Sequence, residues 1–136
     1  MTTVKEIMHQ HTIVSQELSV KEVAGIMSDK KIGSVLVATA NGPGMLTERD
    51  MLTKLVSKGK DSAKMKAKDI MTFPIKTINA DADVYEACNI FTENSFRRLP
   101  VVEKGKVVGI ITTRDIAKQF IPKLIKDTYH FQDFRF

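Results

Sequence analysis

Gly44-Met45-Leu46-Thr47-Glu48-Arg49-Asp50 recurs as Gly109-Ile110-Ile111-Thr112-Thr113-Arg114-Asp115, 65 positions later. An internal repeat of this kind constrains the architecture before any propensity is weighed. Each copy carries a glycine, two apolar residues, then Thr and Asp three apart. That order suits a strand running into a helix whose N-terminus can hold an anion.

Outward from this phrase the copies continue to match. Val4-Lys5-Glu6-Ile7-Met8 answers Ala67-Lys68-Asp69-Ile70-Met71 at an offset of 63. Val20, Val23, Ala24 and Met27 answer Val84, Ala87, Cys88 and Phe91 at an offset of 64, with the spacing of an amphipathic helix. Ser19 with Glu22, and Asp83 with Glu86, are placed as capping boxes, so helices are predicted to start near 20 and 84. Val35-Leu36-Val37 and Leu99-Pro100-Val101-Val102 read as strands. Turns follow at Ala40-Asn41-Gly42-Pro43 and Glu103-Lys104-Gly105-Lys106. A second strand then enters the repeated phrase, and a last helix carries Met51, Leu52, Leu55 and Val56, or Ile116, Ala117, Phe120 and Ile121.

The expected order in each copy is strand, helix, strand, strand, helix. The offset steps from 63 to 64 to 65, and each step is expected in a loop. The expected fold is α+β: two tandem β-α-β-β-α repeats packed as a pseudo-twofold pair, because about 60 residues rarely bury enough surface alone. The boundaries are repeat 1 at 1–60, a basic linker at 61–66, repeat 2 at 67–127 and an aromatic tail at 128–136. The tail holds four of the nine aromatic residues of the chain.

Composition narrows the function. The 136 residues are 43% hydrophobic and 27% charged, as in ordinary soluble domains. No run is long enough to span a membrane, the N-terminus lacks an apolar signal region, and the single cysteine has no internal partner. A cytoplasmic location and no membrane partner are therefore expected. The net charge is +5, part of it in the run from Lys58 to Lys68. That run reads first as a solvated linker. A nucleic-acid-associated role is the alternative, weakened because no aromatic residue within it could stack on bases.

These motifs resemble the CBS-domain family, named after cystathionine β-synthase. The Ile-Met openings, the Val-x-Glu-Ala helix start at Val84, Arg97-Arg98-Leu99-Pro100-Val101-Val102 and the two Gly-h-h-Thr-x-x-Asp phrases carry the likeness, over roughly 4–121. The resemblance implies a tandem pair, or Bateman module. Such pairs bind AMP, ADP, ATP or S-adenosylmethionine between their repeats, commonly form homodimers, and regulate an effector protein. It implies no catalysis, no catalytic residue and no required cofactor beyond the regulatory adenine nucleotide.

The site residues have two readings. Thr47 with Asp50, and Thr112 with Asp115, make helix caps whether or not a ligand comes. As a ligand site, each Thr would hold a phosphate and each Asp a ribose diol. Arg97 and Arg98 have Gly33 and Ser34 as counterparts in the first repeat. Adjacent strand residues face opposite ways, so one arginine of the two is expected to face a ligand. By resemblance they reach phosphates. The resemblance also implies a base pocket completed across repeats: Thr12, Ile13, Ile32 and Ser34 for Asp115, and Ile75 and Phe96 for Asp50. The Asp50 site, with Arg97 beside it, then looks richer in positive charge, and Pro43 raises a question over the geometry of Thr47. No metal is expected, since no Cys or acidic residue accompanies His9 and His11 at metal-ligand spacing in the sequence. Cys88 reads as a core residue. A structural dimerisation unit with vestigial sites is the remaining alternative.

Overall fold

A computed structural model describes residues 1–128 of the chain; the aromatic tail from Tyr129 onward lies outside the described residues. The elements are α1 (Val4–Ile7), β1 (Ile13–Ser15), α2 (Val20–Lys30), β2 (Ser34–Thr39), β3 (Gly42–Thr47) and α3 (Glu48–Met51). A five-residue π-helical turn, Leu52–Val56, continues α3. Then come α4 (Ala67–Ile70), β4 (Ile78–Asn79), α5 (Val84–Glu93), β5 (Arg98–Glu103), β6 (Lys106–Thr112) and α6 (Thr113–Thr128). The fold is α+β, with two three-stranded sheets. In each, a short first strand runs parallel to the second, which pairs antiparallel with the third.

The chain forms two compact units whose membership crosses the repeats. One is His11–Ile75; the other joins Met1–Gln10 to the described residues from Lys76 on. Each opening segment is therefore built into the unit that carries the other copy of the repeat. Val4, from the first opening, is fully buried in the cluster of Ile78, Val84, Leu99, Val101 and Ile111. Ala67 and Ile70, from the second, are buried with Val14, Val20, Val35, Val37 and Leu46. Main-chain bonds fasten both: Val4 and Lys5 donate to Ala82 and Ala80, while Ala67 and Lys68 donate to Leu18 and Gln16. The short helices α1 and α4 are additions to the five-element order expected per repeat.

The helix starts near 20 and 84 are as expected. Ser19 accepts from the Glu22 amide and Glu22 accepts from the Ser19 amide, closing the box. At α5 the expected box is replaced by a simpler cap: the Asp83 carboxylate takes the Tyr85 amide at 3.0 Å, and the Glu86 amide goes to the Asp83 carbonyl. The second offset step does not fall in a loop. In the first hairpin Val37 faces Gly44 and Ala38 faces Pro43. In the second, Val101 faces Gly109 but Val102 faces Val107, which leaves Val108 as one extra residue in β6. That is a β-bulge, which bends a strand without lengthening the turn.

The basic linker is also more ordered than a solvated run. Its lysine side chains are exposed, but the main chain is tied down. Val20 donates to the Met65 carbonyl at 2.8 Å and Lys21 to the Ser62 carbonyl at 3.0 Å. Lys66 and Lys68 both pair with Glu17, at 3.0 and 2.8 Å.

Candidate functional site

Each repeated phrase ends a strand and turns into a helix, and the turn is held identically in both. The Asp50 amide donates to Thr47 Oγ1 at 3.1 Å, while Thr47 N–H and O–H donate to Asp50 Oδ2 at 3.0 and 3.1 Å. The Asp115 amide donates to Thr112 Oγ1 at 3.1 Å, and Thr112 N–H and O–H donate to Asp115 Oδ2 at 2.8 and 3.0 Å. The cap reading is thus directly visible. Pro43 does not disturb Thr47.

A second element reaches each acid, and sequence reasoning missed it. His9 makes a reciprocal pair of main-chain bonds with Ile110, and Thr72 makes the same pair with Met45. Both residues directly follow the Ile-Met of an opening segment. Their side chains arrive at the carboxylates. His9 Nδ1 lies 2.9 and 3.0 Å from the two oxygens of Asp115. An ionised carboxylate only accepts, so the Nδ1 carries the proton. Thr72 Oγ1 donates to Asp50 Oδ1 at 3.3 Å. The signal was available as a polar residue in the same place in each copy.

The two acids then part company. Lys54 Nζ lies 3.1 Å from Asp50 Oδ1 and also donates to the Ile70 carbonyl at 3.2 Å and Thr72 Oγ1 at 3.4 Å. The position equivalent to Lys54 in the second repeat is Gln119. Among the described residues, ion pairs use lysines and His9 and no arginine.

Arg97 and Arg98 are both exposed. Arg98 opens β5 directly opposite Thr112, as Ser34 opens β2 opposite Thr47. Arg97 precedes the strand, and its carbonyl accepts the Thr113 amide at 3.0 Å, just as that of Gly33 accepts the Glu48 amide. Of the base-pocket candidates, Ser34 is buried and bonded to His11 Nε2 at 3.1 Å. Ile13 and Phe96 are well exposed, and Thr12, Ile32 and Ile75 are partly buried. Ser34, Thr47 and Asp50, with Thr12, Ile13, Ile32 and Ile75, belong to one unit; Phe96, Arg97, Arg98, Thr112 and Asp115 belong to the other. An open cavity of about 450 Å³ beside α2 and α3 is lined by Met27, Lys31, Ile32, Glu48 and Met51 among others, but not by Thr47 or Asp50.

Elsewhere the chemistry is quiet. Burial, with a smaller push from Asp83, raises the Cys88 thiol above the usual cysteine range, so it is a poor nucleophile at neutral pH. Among the described residues no three His, Cys, Asp or Glu side chains gather as a metal site. No helix among them is long and apolar enough to cross a membrane.

Tandem α+β modules with two matched Thr-x-x-Asp turns are found among domains that are generally regulatory and ligand-binding. The model of the CBS domain matches residues 4–57 and 67–121, and the chain belongs to the CBS-domain family. It is 31% identical over 121 residues to hypoxic response protein 1 of Mycobacterium tuberculosis, covering 87% of this chain and 85% of that one. It is 40% identical over 98 residues to an uncharacterized protein of Methanopyrus kandleri, covering 70% of this chain and half the length of that one. A hexameric CBS-CP12 protein from bloom-forming cyanobacteria has a similar structure, with a TM-score of 0.79, 26% identity and coverage of 93% of this chain and 75% of that one.

Proposed function

We propose that the protein is a regulatory module that senses an adenine nucleotide or an adenosyl compound such as S-adenosylmethionine and passes its occupancy to an effector protein. The ribose diol would bond to Asp50 or Asp115, the phosphates, or the methionyl carboxylate of S-adenosylmethionine, would meet Thr47 or Thr112 and Arg97 or Arg98, and the base would rest against the apolar candidates named above. In this reading it acts as a cytoplasmic homodimer without catalysis. One observation carries it. Two carboxylates, 65 residues apart, are each fixed by the same three bonds at the end of a strand. A cap alone needs neither the polar side chain that reaches each acid from the opening segment nor its arrival in both copies.

Calorimetric titration with AMP, ADP, ATP and S-adenosylmethionine tests the reading. At least one is expected to bind, and Asp50→Ala combined with Asp115→Ala is expected to abolish binding. Heat from none of the four, with no thermal shift, would remove the nucleotide reading. Changing Arg97 and Arg98 to Ala is expected to weaken ATP more than adenosine, since a guanidinium fork recognises phosphate oxygens.

A further inference from the structure

We infer that Lys54 holds the Asp50 turn shut, so that Asp115 is the acid that takes the ribose. This rests on the reading of the two acids as ribose acceptors. A carboxylate offers about four acceptor positions. At Asp50 three donors converge, Thr47 N–H and O–H on Oδ2 and Thr72 O–H on Oδ1, and the Lys54 ammonium stands 3.1 Å from Oδ1 as an ion pair. At Asp115, among the described residues, three donors converge: Thr112 N–H, Thr112 O–H and a single His9 Nδ1 proton shared between the oxygens. Each acid keeps an acceptor position for a diol hydroxyl, but at Asp50 that hydroxyl must first displace the ammonium that stands over Oδ1.

Lys54 is not a casual occupant of that place. Its ammonium donates to the Ile70 carbonyl and to Thr72 Oγ1 and is ion-paired with Asp50. It thereby joins the acid to the segment that leads out of α4, and a ligand that displaced it would break two hydrogen bonds and an ion pair. Burial adds to the difference, since the Asp50 side chain is 11% exposed and the Asp115 side chain 16%. Lys54 also sits in the π-helical turn Leu52–Val56, whereas the matching stretch of α6 is regular helix with Gln119 in the lysine's place. Local π geometry of this kind often marks a functional position. The feature that distinguishes the two sites is thus a lysine on the protein's own helix, acting as a built-in competitor for the ribose.

The experiment is a stoichiometry titration of the full chain with AMP, ATP and S-adenosylmethionine. Wild type is expected to bind one ligand per chain, and Asp115→Asn none. Adding Lys54→Gln to Asp115→Asn is expected to restore one ligand per chain, which also shows that the variant is folded. Lys54→Gln alone is expected to bind two, the second at least about tenfold tighter than any trace binding at that site in wild type, the worth of one charge-assisted hydrogen bond. One ligand still bound by Asp115→Asn with Lys54 intact would overturn the inference and leave the nucleotide reading standing. So would a double variant that is folded by circular dichroism yet stays empty while wild type binds. No binding by wild type and none by Lys54→Gln would overturn the nucleotide reading itself, and this inference with it.

Discussion

The sulfur of Met8 lies 2.8 Å from the point that a Cβ on Gly109 would occupy, and the sulfur of Met71 lies 2.8 Å from the same point on Gly44. The glycine of each repeated phrase is where an opening segment from the other repeat crosses the strand. Both glycines are buried. The Ile-Met openings and the Gly-h-h-Thr-x-x-Asp phrases are therefore two halves of one contact.

The first prediction concerns these glycines. At Gly109 a methyl group would also meet the His9 carbonyl at 2.9 Å, whereas at Gly44 the nearest carbonyl, that of Thr72, is 3.3 Å away. A thioether can move aside; a carbonyl held by reciprocal hydrogen bonds cannot. Gly109→Ala is expected to cost about 1–3 kcal/mol, the range for overpacking, and Gly44→Ala less. Urea denaturation of the two variants checks the order.

The second tests the exchange of segments. Ile70 is 2% exposed, in the core of the unit His11–Ile75, although it belongs to the second repeat. Ile70→Ala is expected to cost about 2–5 kcal/mol. Hydrogen exchange is expected to show the loss first in β1, β2 and β3. Loss confined to β4, β5 and β6 would contradict the assignment.

A third prediction concerns pH. Hydrogen bonds from Lys68 and then Lys66 hold the Glu17 carboxyl below the usual glutamate range, and Glu17 raises Lys68 above the usual lysine range. A depressed acid contributes stability that is present above its unfolded pKa and lost as pH falls through the folded value. A raised base contributes stability that is present below its unfolded pKa and lost as pH rises through the folded value. The linker contact should therefore hold across the neutral range and loosen at both ends. These groups are exposed, so salt is expected to weaken it. Following the Ala67 and Lys68 amides by NMR, Glu17→Gln should erase the acid step while leaving the main-chain bonds to Leu18 and Gln16.

The fourth is chemical. Because burial raises the Cys88 thiol, its thiolate forms only above the usual cysteine range. Alkylation at neutral pH is expected to be slower in the folded chain than in urea. Equal rates would mean the thiol is not shielded.

Much of this was legible in the sequence, for local reasons. Apolar spacing at Val20, Val23 and Met27, and the Thr-Asp spacing of the two turns, depend on residues within a turn or two of each other, so pattern reveals them. The exchange was not legible. Both openings end in Ile-Met and both phrases begin with the same glycine, so a duplicated sequence offers no sign of which glycine each Met meets. Lys54 was readable as an i+4 partner of Asp50, but its bonds to Ile70 and Thr72 arise only when α4 is in place. The extra residue at Val108 read as loop variation, because a bulge leaves no mark on composition.

The crossing of Val4 into one core and Ile70 into the other bears on how such a chain could have arisen. A single ancestral copy, standing alone, would carry an arm with nowhere of its own to lodge and a groove with nothing to fill it. Two such copies would complete each other by trading arms. Duplication and fusion would then turn a contact between molecules into one within a chain, and make the halves inseparable from the start.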